Sequence, residues 1–364
     1  MYKISFIVGT RPEIIKIEPV LGEMRAISQD YQLISTGQQR DLCEKTFDEL
    51  EILPDVDLDL MQMNQSPMSF LNNAQRSLSK LFESQTPDVL VVHGDTTTAL
   101  AGAMVGFLNH IPIVHLEAGL RSKYINSPFP EEGNRRIIDT ISSLHLAPTQ
   151  MAIENLVSEG HASTSFLTGN SIVDAVALGI QRPHLPQPDL DLFISTGPYV
   201  FVTQHRRENF DTVLPGVVST VKQLASNSNL RFIWPVHPNP SVNHFVRESL
   251  SSLKQVFLVE PLPYFLTLKL IKNAAVTVTD SGGIQEEAAI LGTPLIITRR
   301  ETERPEVLKI PTTFLVGDDM QLLAQKIIEL GNLKSTRNAF DFKEFGELGA
   351  SKQIVQKILG LKPF

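Results

Sequence analysis

The sequence is poor in cysteine and has no surplus of positive charge, and each shortage excludes a class of protein. Cys43 is the one cysteine among 364 residues, so neither an intrachain disulfide nor a cysteine metal cluster can form. A reducing compartment fits this usage, and we interpret Cys43, in a helix-like stretch, as a small packed apolar residue. The net charge of −8 argues against a general nucleic-acid binder, which carries a basic patch. A phosphorylated small molecule remains compatible, because a helix N-terminus can hold a phosphate on an acidic protein.

Long apolar segments are also missing. The longest apolar stretch, residues 99–108, is too short to cross a bilayer. Near the N-terminus the apolar run stops at residues 11–13 (Arg-Pro-Glu), which favours a first β-strand over a secretory signal. These features predict a cytoplasmic protein without membrane insertion and without a nucleic-acid partner.

The signature motifs of several enzyme classes are absent. Residues 9–13 (Gly-Thr-Arg-Pro-Glu) follow the first predicted strand but match neither the G-x-G-x-x-G fingerprint nor a P-loop. Neither a hydride-transfer enzyme nor an NTPase is therefore indicated. The sequence also lacks H-E-x-x-H, G-x-S-x-G and EF-hand patterns, so we predict no metal site and no serine nucleophile.

What the chain does contain is an alternation of short β-rich runs with longer helical patterns. Many runs are continuously apolar, which is typical of strands buried on both faces of a parallel sheet. The predicted strands are 4–8, 32–35, 89–93, 112–116 and 144–147, followed by 199–203, 231–236, 257–259, 276–279 and 294–298. The proline-rich segment 179–198 separates the two series, so we predict an α/β protein of two doubly wound domains with a cleft between them.

Reactive side chains stand at the carboxyl ends of five predicted strands, the edge where open α/β sheets bind ligands. They are Asp95, Glu117, His205, His237 and Asp280. An alternative interpretation is that these residues only cap the helices that follow. Asp95 and Asp280 are suitable caps, whereas glutamate and histidine are poor ones, so a ligand site explains the set better.

Three features suggest an anion site. Residues 281–283 (Ser-Gly-Gly) precede a helical pattern, and consecutive glycines let backbone N–H groups approach a phosphate there, although a tight turn has the same pattern. Arg11 stands at the sheet edge, where it can bind phosphate in a bidentate manner, and Arg304 is either a further anion contact or part of a loop salt bridge. Glu286 and Glu287 either serve the helix dipole or accept hydrogen bonds from a ribose.

Taken together, several motifs resemble one family, the non-hydrolysing UDP-N-acetylglucosamine 2-epimerases. They are residues 9–13 (GTRPE) with Lys16, 93–97 (HGDTT), 115–121 (HLEAGLR), 130–135 (PEEGNR), 168–170 (TGN), 205–209 (HRREN), 235–239 (PVHPN), 280–287 (DSGGIQEE) and 302–306 (TERPE). The resemblance implies a GT-B-like fold of two Rossmann-like domains and a homodimer. The two strand series and the proline-rich segment place the domains at 1–178 and 199–345 with a crossing at 179–198, and by analogy a C-terminal helix within 346–364 packs back across the domains.

The resemblance further implies reversible conversion of UDP-GlcNAc to UDP-ManNAc through 2-acetamidoglucal, with no cofactor and no metal. The residues implied for catalysis are Asp95, Glu117, Glu131 and His205, where His205 stabilises phosphate charge or shares in proton transfer. The residues implied for binding UDP are Arg11, Lys16, His237, Ser281, Gly282, Gly283, Glu287 and Arg304. Which carboxylate serves which face of the sugar stays open.

The chain departs from the family pattern at two places. Gln39 stands where many members have histidine, near the region where some bacterial members bind a second UDP-GlcNAc as an activator. Leu262 and Thr267 stand where the family commonly places glutamine and phenylalanine contacts to the nucleotide. The alternatives are a hydrolysing 2-epimerase, a 2-epimerase of another UDP-acetamido sugar, a GT-B glycosyltransferase and a non-catalytic UDP-sugar sensor.

Overall fold

The computed structural model describes residues 3–62, 65–122, 124–126, 128–183, 187–206, 209–331 and 338–361. Two compact units divide the chain. The first comprises Met1–Ala175 and Glu344–Phe364, and the second comprises Val176–Lys343. Within the described residues, no helix is long and apolar enough to span a membrane.

A seven-stranded parallel sheet forms the centre of the first unit, in the order β3-β2-β1-β4-β5-β6-β7. Its strands are β1 Ile4–Val8, β2 Tyr31–Ser35, β3 Val56–Asp57, β4 Val89–His93, β5 Ile113–Leu116, β6 Leu144–Ala147 and β7 Ser165–Leu167. Strands β1, β4, β5 and β6 are buried along their whole length, as their continuous apolar runs predict. The sequence prediction missed β3 and β7, which lie at the two edges of the sheet.

Eight helices accompany this sheet in the described part of the chain. They are α1 Arg11–Ala26, α2 Arg40–Leu50, α3 Pro67–Ser84, α4 Thr97–Leu108, α5 Glu131–Ile141, α6 Gln150–Ser158, α7 Ile172–Gly179, which leads into the second unit, and the last helix of the chain, Ala350–Gly360. Local sequence signals set several of their starts, since the hydroxyls of Ser66, Thr96 and Thr149 cap α3, α4 and α6. The last helix packs against α1 within the first unit, and the predicted crossing between domains stays a prediction.

The second unit is built around a six-stranded parallel sheet in the order β10-β9-β8-β11-β12-β13. Its strands are β8 Val200–Thr203, β9 Phe232–Pro235, β10 Val256–Val259, β11 Val276–Thr279, β12 Leu295–Ile297 and β13 Thr313–Leu315. Its described helices are α8 Pro188–Ser195, α9 Leu214–Asn227, α10 Pro240–Leu250, α11 Tyr264–Asn273, α12 Gly282–Leu291 and α13 Met320–Gly331, so the last helix of the first unit is α14. Part of the core around Trp234 and Phe232 joins α9 and α10 to this sheet.

Part of the segment interpreted as a linker folds as helix α8. Pro188 occupies its first turn, a position that needs no N–H donor and suits the fixed φ of proline. Leu190 is buried, which gives this short helix an apolar anchor. Pro188, one of the prolines that indicated a surface crossing, therefore also suits a helix start.

Both sheets reverse their strand order at one point, and this point positions the candidate site. In the first unit the reversal lies between β1 and β4, and in the second between β8 and β11. Ligands of open α/β sheets bind outside the carboxyl ends of the strands at such a point. The predicted α/β class with two Rossmann-like units is confirmed.

Candidate active site

In the first unit, Glu117 lies at the centre of a buried charged cluster. It follows β5 directly, and its Oε1 accepts a hydrogen bond of 2.7 Å from Lys16 Nζ of α1. His93, the last residue of β4, places Nε2 3.6 Å from Glu117 Oε2. The side chains of Lys16 and Glu117 are only 4% and 8% exposed, so removal of either partner would leave the other charge buried without compensation from it.

The backbone at Glu117 is strained. Its φ of +62° lies in the left-handed region, which costs a non-glycine residue roughly 1–2 kcal/mol. Such conformations persist where the surroundings over-determine them, often at functional sites. The strain is consistent with a carboxylate whose position matters more than its local stability.

Asp95, which follows β4, is held from α5. Its Oδ2 accepts from Arg135 Nε at 2.8 Å, and its carbonyl oxygen accepts from Asn134 Nδ2 at 2.8 Å. Arg135 also pairs with the fully buried Glu132. Glu131 is the first residue of α5, so the helix that binds Asp95 brings Glu131 to the same edge of the sheet.

Asp95 and Asp280, the two aspartates suited to capping, do not cap the helices that follow them. The N-cap of α4 is Thr96, whose hydroxyl accepts from Ala99 N at 3.0 Å, and the N-cap of α12 is Ser281. Asp95 and Asp280 each stand one residue earlier and bind other groups. The alternative interpretation of these two residues as caps is therefore wrong.

Glu13 belongs to this edge, although the sequence analysis did not assign it to the site. Its Oε2 accepts hydrogen bonds from the backbone N–H groups of Gly9 and Thr10 at 2.8 and 2.7 Å, and its Oε1 accepts from the Thr96 hydroxyl at 2.6 Å. The carboxyl thereby joins the loop after β1 to the loop after β4. Burial raises the pKa of Glu13 to about 7, against the lowering effect of these hydrogen bonds. Its signal in the sequence was the capping box Thr10-x-x-Glu13.

The raised pKa of Glu13 predicts how the free energy of unfolding depends on pH. The carboxyl titrates near 4.5 when unfolded and near 7 when folded, so the folded state binds more protons between these values. Stability from this group is present below the unfolded pKa and is lost as pH rises through 7, by at most about 1.4 kcal/mol per pH unit.

Glu13→Gln, which mimics the protonated carboxyl, is expected to remove this slope. Urea unfolding followed by circular dichroism, repeated between about pH 5 and pH 7, measures it. The wild type should lose stability relative to the variant as pH rises. Parallel pH profiles for the two proteins would show that Glu13 does not titrate in this range.

The loop after β2 reaches the same edge. Gln38 Oε1 accepts from the backbone N–H and the hydroxyl of Thr98 at 3.0 and 2.9 Å. Gln39 Oε1 lies 3.4 Å from the backbone N of Arg11, which donates to it. Gln39, which departs from the family pattern, thus contacts the backbone of Arg11, which is predicted to bind phosphate.

In the second unit, Asp280 holds the loop that carries His205. This fully buried carboxylate accepts from the backbone N–H groups of His205 and Arg206 at 2.8 and 3.1 Å, and from Asn209 Nδ2 at 3.0 Å. The rings of His205 and His237 lie edge to face with centroids 6.0 Å apart. His237 Nδ1 accepts from Asn239 N at 3.1 Å, which leaves Nε2 to carry the proton of a neutral ring.

Next to these histidines, a carboxylate gathers three arginines. Glu303 binds Arg304 Nη1 at 2.8 Å, Arg299 Nη1 at 2.6 Å and Arg206 Nη2 at 3.1 Å. Burial alone would raise the pKa of Glu303, but the three guanidinium groups hold it well below its usual range. Arg304 Nε also binds Glu286 Oε1 at 2.6 Å, so Arg304 does form the loop salt bridge that was its alternative.

The salt-bridged Arg304 nevertheless lies beside the start of α12. A Cβ atom added to Gly282 would stand 2.6 Å from Arg304 Nη1, so a larger residue here would displace the guanidinium group. Gly283 has open space at the corresponding position, and Glu287 is buried one turn later in the helix. A guanidinium group and the N-terminus of a ten-residue helix thus meet, an arrangement suited to a phosphate.

The predicted residues fall into two groups, one at each sheet edge. Asp95, Glu117, Glu131, Arg11 and Lys16 belong to the first unit, while His205, His237, Ser281, Gly282, Gly283, Glu287 and Arg304 belong to the second. Of the two departures in the second unit, Leu262 is buried and the Thr267 hydroxyl donates to Pro263 O at 2.8 Å within its own helix. The shared cleft stays a prediction.

Comparison with known proteins reveals full-length similarity to one family. The family model described as UDP-N-acetylglucosamine 2-epimerase matches residues 23–359. The UDP-N-acetylglucosamine 2-epimerase of Salmonella borreze is 35% identical, with 100% of this chain and 99% of that protein covered.

Solved structures agree with this similarity. The UDP-GlcNAc 2-epimerase of Neisseria meningitidis bound to UDP-GlcNAc has a TM-score of 0.88 and 33% identity, covering 99% of this chain and 100% of that one. The Methanocaldococcus jannaschii UDP-GlcNAc 2-epimerase in complex with UDP-GlcNAc and UDP has a TM-score of 0.85 and 34% identity, covering 98% and 99%. The predicted GT-B-like fold is confirmed.

Proposed function

We propose that this chain, which belongs to the UDP-N-acetylglucosamine 2-epimerase family, converts UDP-GlcNAc reversibly to UDP-ManNAc without releasing free sugar. The observation that carries the proposal is the pair of carboxylates at the carboxyl edge of the first sheet, Glu117 bound to Lys16 and Asp95 bound to Arg135. An epimerase of this kind needs acid–base groups and no redox cofactor.

The proposed reaction begins with loss of the proton at C2. A carboxylate takes this proton, the electrons of the C–H bond form the C1=C2 double bond, and the bond from C1 to the phosphate oxygen breaks. UDP leaves with the electron pair, and 2-acetamidoglucal remains. A carbon acid of this kind is weak, so a base placed within hydrogen-bond reach contributes about 10²–10⁴-fold to the rate.

The second half of the reaction reverses these steps on the other face of the sugar. A protonated group delivers a proton to C2, and the phosphate oxygen of UDP adds back to C1. Two faces require two differently placed acid–base groups, and the candidates are Asp95, Glu117 and Glu131. Asp95 and Glu117 each carry a fixed cationic partner, which orients their carboxylates.

UDP is proposed to bind largely to the second unit. His237, Ser281, Gly282, Gly283, Glu287 and Arg304 are its proposed contacts there, with Arg11 and Lys16 in the first unit. His205, held through its backbone by Asp280, is proposed to stabilise phosphate charge as UDP departs. Charge that develops on a leaving phosphate is stabilised best by donors fixed in advance.

The proposal is specific about the product. The sequence Asp-Ser-Gly-Gly-Ile-Gln-Glu-Glu at 280–287 favours the non-hydrolysing reaction over the hydrolysing alternative. Incubation with UDP-GlcNAc followed by anion-exchange chromatography distinguishes the two. UDP-ManNAc in equilibrium with UDP-GlcNAc, reached from either side, is expected. Free ManNAc accumulating together with UDP would refute the non-hydrolysing proposal.

We also propose a homodimer, which sedimentation equilibrium tests.

A further inference from the structure

A buried histidine connects the two loops that carry Asp95 and Glu117. His115 lies in β5, two residues before Glu117, and its Nε2 is 2.7 Å from the carbonyl oxygen of Gly94, the residue before Asp95. Its Nδ1 is 2.6 Å from Asp139 Oδ1 of α5. The two side chains are 0% and 1% exposed. We refer to this chain of contacts from Asp139 through His115 to Gly94 as the histidine bridge.

The hydrogen bond to Gly94 fixes one proton of His115. A carbonyl oxygen only accepts, so Nε2 must carry a proton. Burial would raise the pKa of Asp139, but His115 and Arg121 hold it well below its usual range. Asp139 Oδ2 accepts from Arg121 Nη2 at 2.7 Å, and Oδ1 makes the contact with His115 Nδ1. The ionised carboxylate makes the hydrogen bonds at this end of the bridge charge-assisted, and such bonds are stronger than neutral ones.

The two turns that the histidine bridge connects both contain residues with positive φ. Gly94 has a φ of +66° and Glu117 a φ of +62°. Asp139 Oδ2 also accepts from the backbone N of Gly119 at 3.3 Å, and Gly119 has a φ of +82°. One buried aspartate is therefore linked to the turn before Asp95 and to the turn after Glu117.

We propose that His115 and Asp139 are positioning residues for the reaction, since they hold the Gly94–Asp95 turn and the Glu117–Gly119 turn in fixed relation. This inference rests on the proposed function, in which Asp95 and Glu117 act on the sugar. Neither bridge residue needs to touch the substrate. Their effect is on the placement of the two carboxylates, where a misplacement of about 1 Å can cost up to about a hundredfold in rate.

If His115 acted only in stability, kcat would not depend on which of its two hydrogen bonds is lost. The test therefore uses two neutral amides, each of which keeps one of these bonds. Asparagine carries its amide nitrogen about as far from Cα as Nδ1, and His115→Asn therefore keeps the bond to Asp139 and loses the bond to Gly94. Glutamine carries its amide nitrogen about as far as Nε2, so His115→Gln keeps the bond to Gly94 and loses the bond to Asp139. The two variants lose one bond each but differ in whether the Asp95 turn is held.

The experiment measures kcat, KM for UDP-GlcNAc and the melting temperature of both variants. His115→Gln is expected to retain at least about tenfold more kcat than His115→Asn, with similar KM and similar melting temperatures. His244→Asn and His244→Gln serve as controls, because this histidine is 81% exposed on α10. Equal kcat in the two His115 variants, or a kcat that follows the melting temperature, would overturn the proposal.

Hydrogen–deuterium exchange separates this inference from the proposed function. Peptides covering residues 94–96 should exchange faster in His115→Asn than in His115→Gln, whether or not the protein turns over UDP-GlcNAc. If the wild type shows no turnover while this difference is present, the function fails and the positioning of the turn stands. Equal exchange in both variants refutes the positioning, even in an active enzyme.

Discussion

Replacing Glu117 with glutamine is expected to lower kcat at least about a hundredfold, the low end of general acid–base effects. The amide keeps the volume of the side chain and can still accept a hydrogen bond from Lys16. In the wild type, Lys16 Nζ lies 2.7 Å from Glu117 Oε1. The amide cannot take up or deliver a proton at C2. The initial rate of UDP-ManNAc formation from saturating UDP-GlcNAc measures the effect.

Glu154→Gln is the matched control for Glu117→Gln, because it makes the same chemical change at an exposed position of α6. This control should retain the wild-type rate. Circular dichroism should show both variants folded. A kcat of Glu117→Gln within a few fold of the control would remove Glu117 from the proton transfers and leave Asp95 and Glu131.

Asp95→Asn is expected to cause a second loss of at least about a hundredfold in kcat. The carboxylate accepts from Arg135 Nε at 2.8 Å, and the amide oxygen of asparagine can accept the same bond. The carbonyl of residue 95 still accepts from Asn134, so the turn keeps its backbone contacts. The variant therefore removes the charge and the proton-transfer group while its position is retained. Rates are again measured as UDP-ManNAc formed.

The control for Asp95 is Asp48→Asn, on the exposed side of α2. Affinity for UDP offers a second readout, because UDP is proposed to bind largely to the second unit. Asp95→Asn should bind UDP with a dissociation constant close to that of the wild type in a calorimetric titration. A large loss of UDP affinity without loss of kcat would assign Asp95 to nucleotide binding instead of catalysis.

The strands that the sequence missed are both short and partly exposed, a combination that none of the predicted strands has. The ten predicted runs are present in the sheets with shifts of at most one residue at their ends, and most of them are apolar stretches that signal burial, although β2 and β10 are partly exposed. Strands β3, β7 and β13 are only two or three residues long and partly exposed. Their register is set by pairing with a neighbouring strand, and this information is not local in the sequence.

The residues of the candidate site also divide into those that the sequence predicted and those that it missed. Asp95 and Glu117 were recognisable because each follows an apolar strand of a parallel sheet, whose carboxyl end is where ligands bind. The partner of Glu117 was not recognisable from spacing, because Lys16 is 101 residues away along the chain. Glu13 had a local signal in its capping box, but its role in the site, like that of Asp139, depends on which backbone groups lie opposite the carboxylate. Buried carboxylates signal their role through tertiary contacts, and those exist only in the folded chain.

Solvent exchange at C2 tests the central claim most directly. Wild-type protein is incubated with UDP-GlcNAc in D2O and followed by proton NMR. The account predicts loss of the C2 proton signal and deuterium at C2 of both UDP-GlcNAc and UDP-ManNAc. With Glu117→Gln, deuterated UDP-ManNAc should form at least about a hundredfold more slowly. Formation of UDP-ManNAc that retains protium at C2, or no exchange by a folded wild type, would contradict the account.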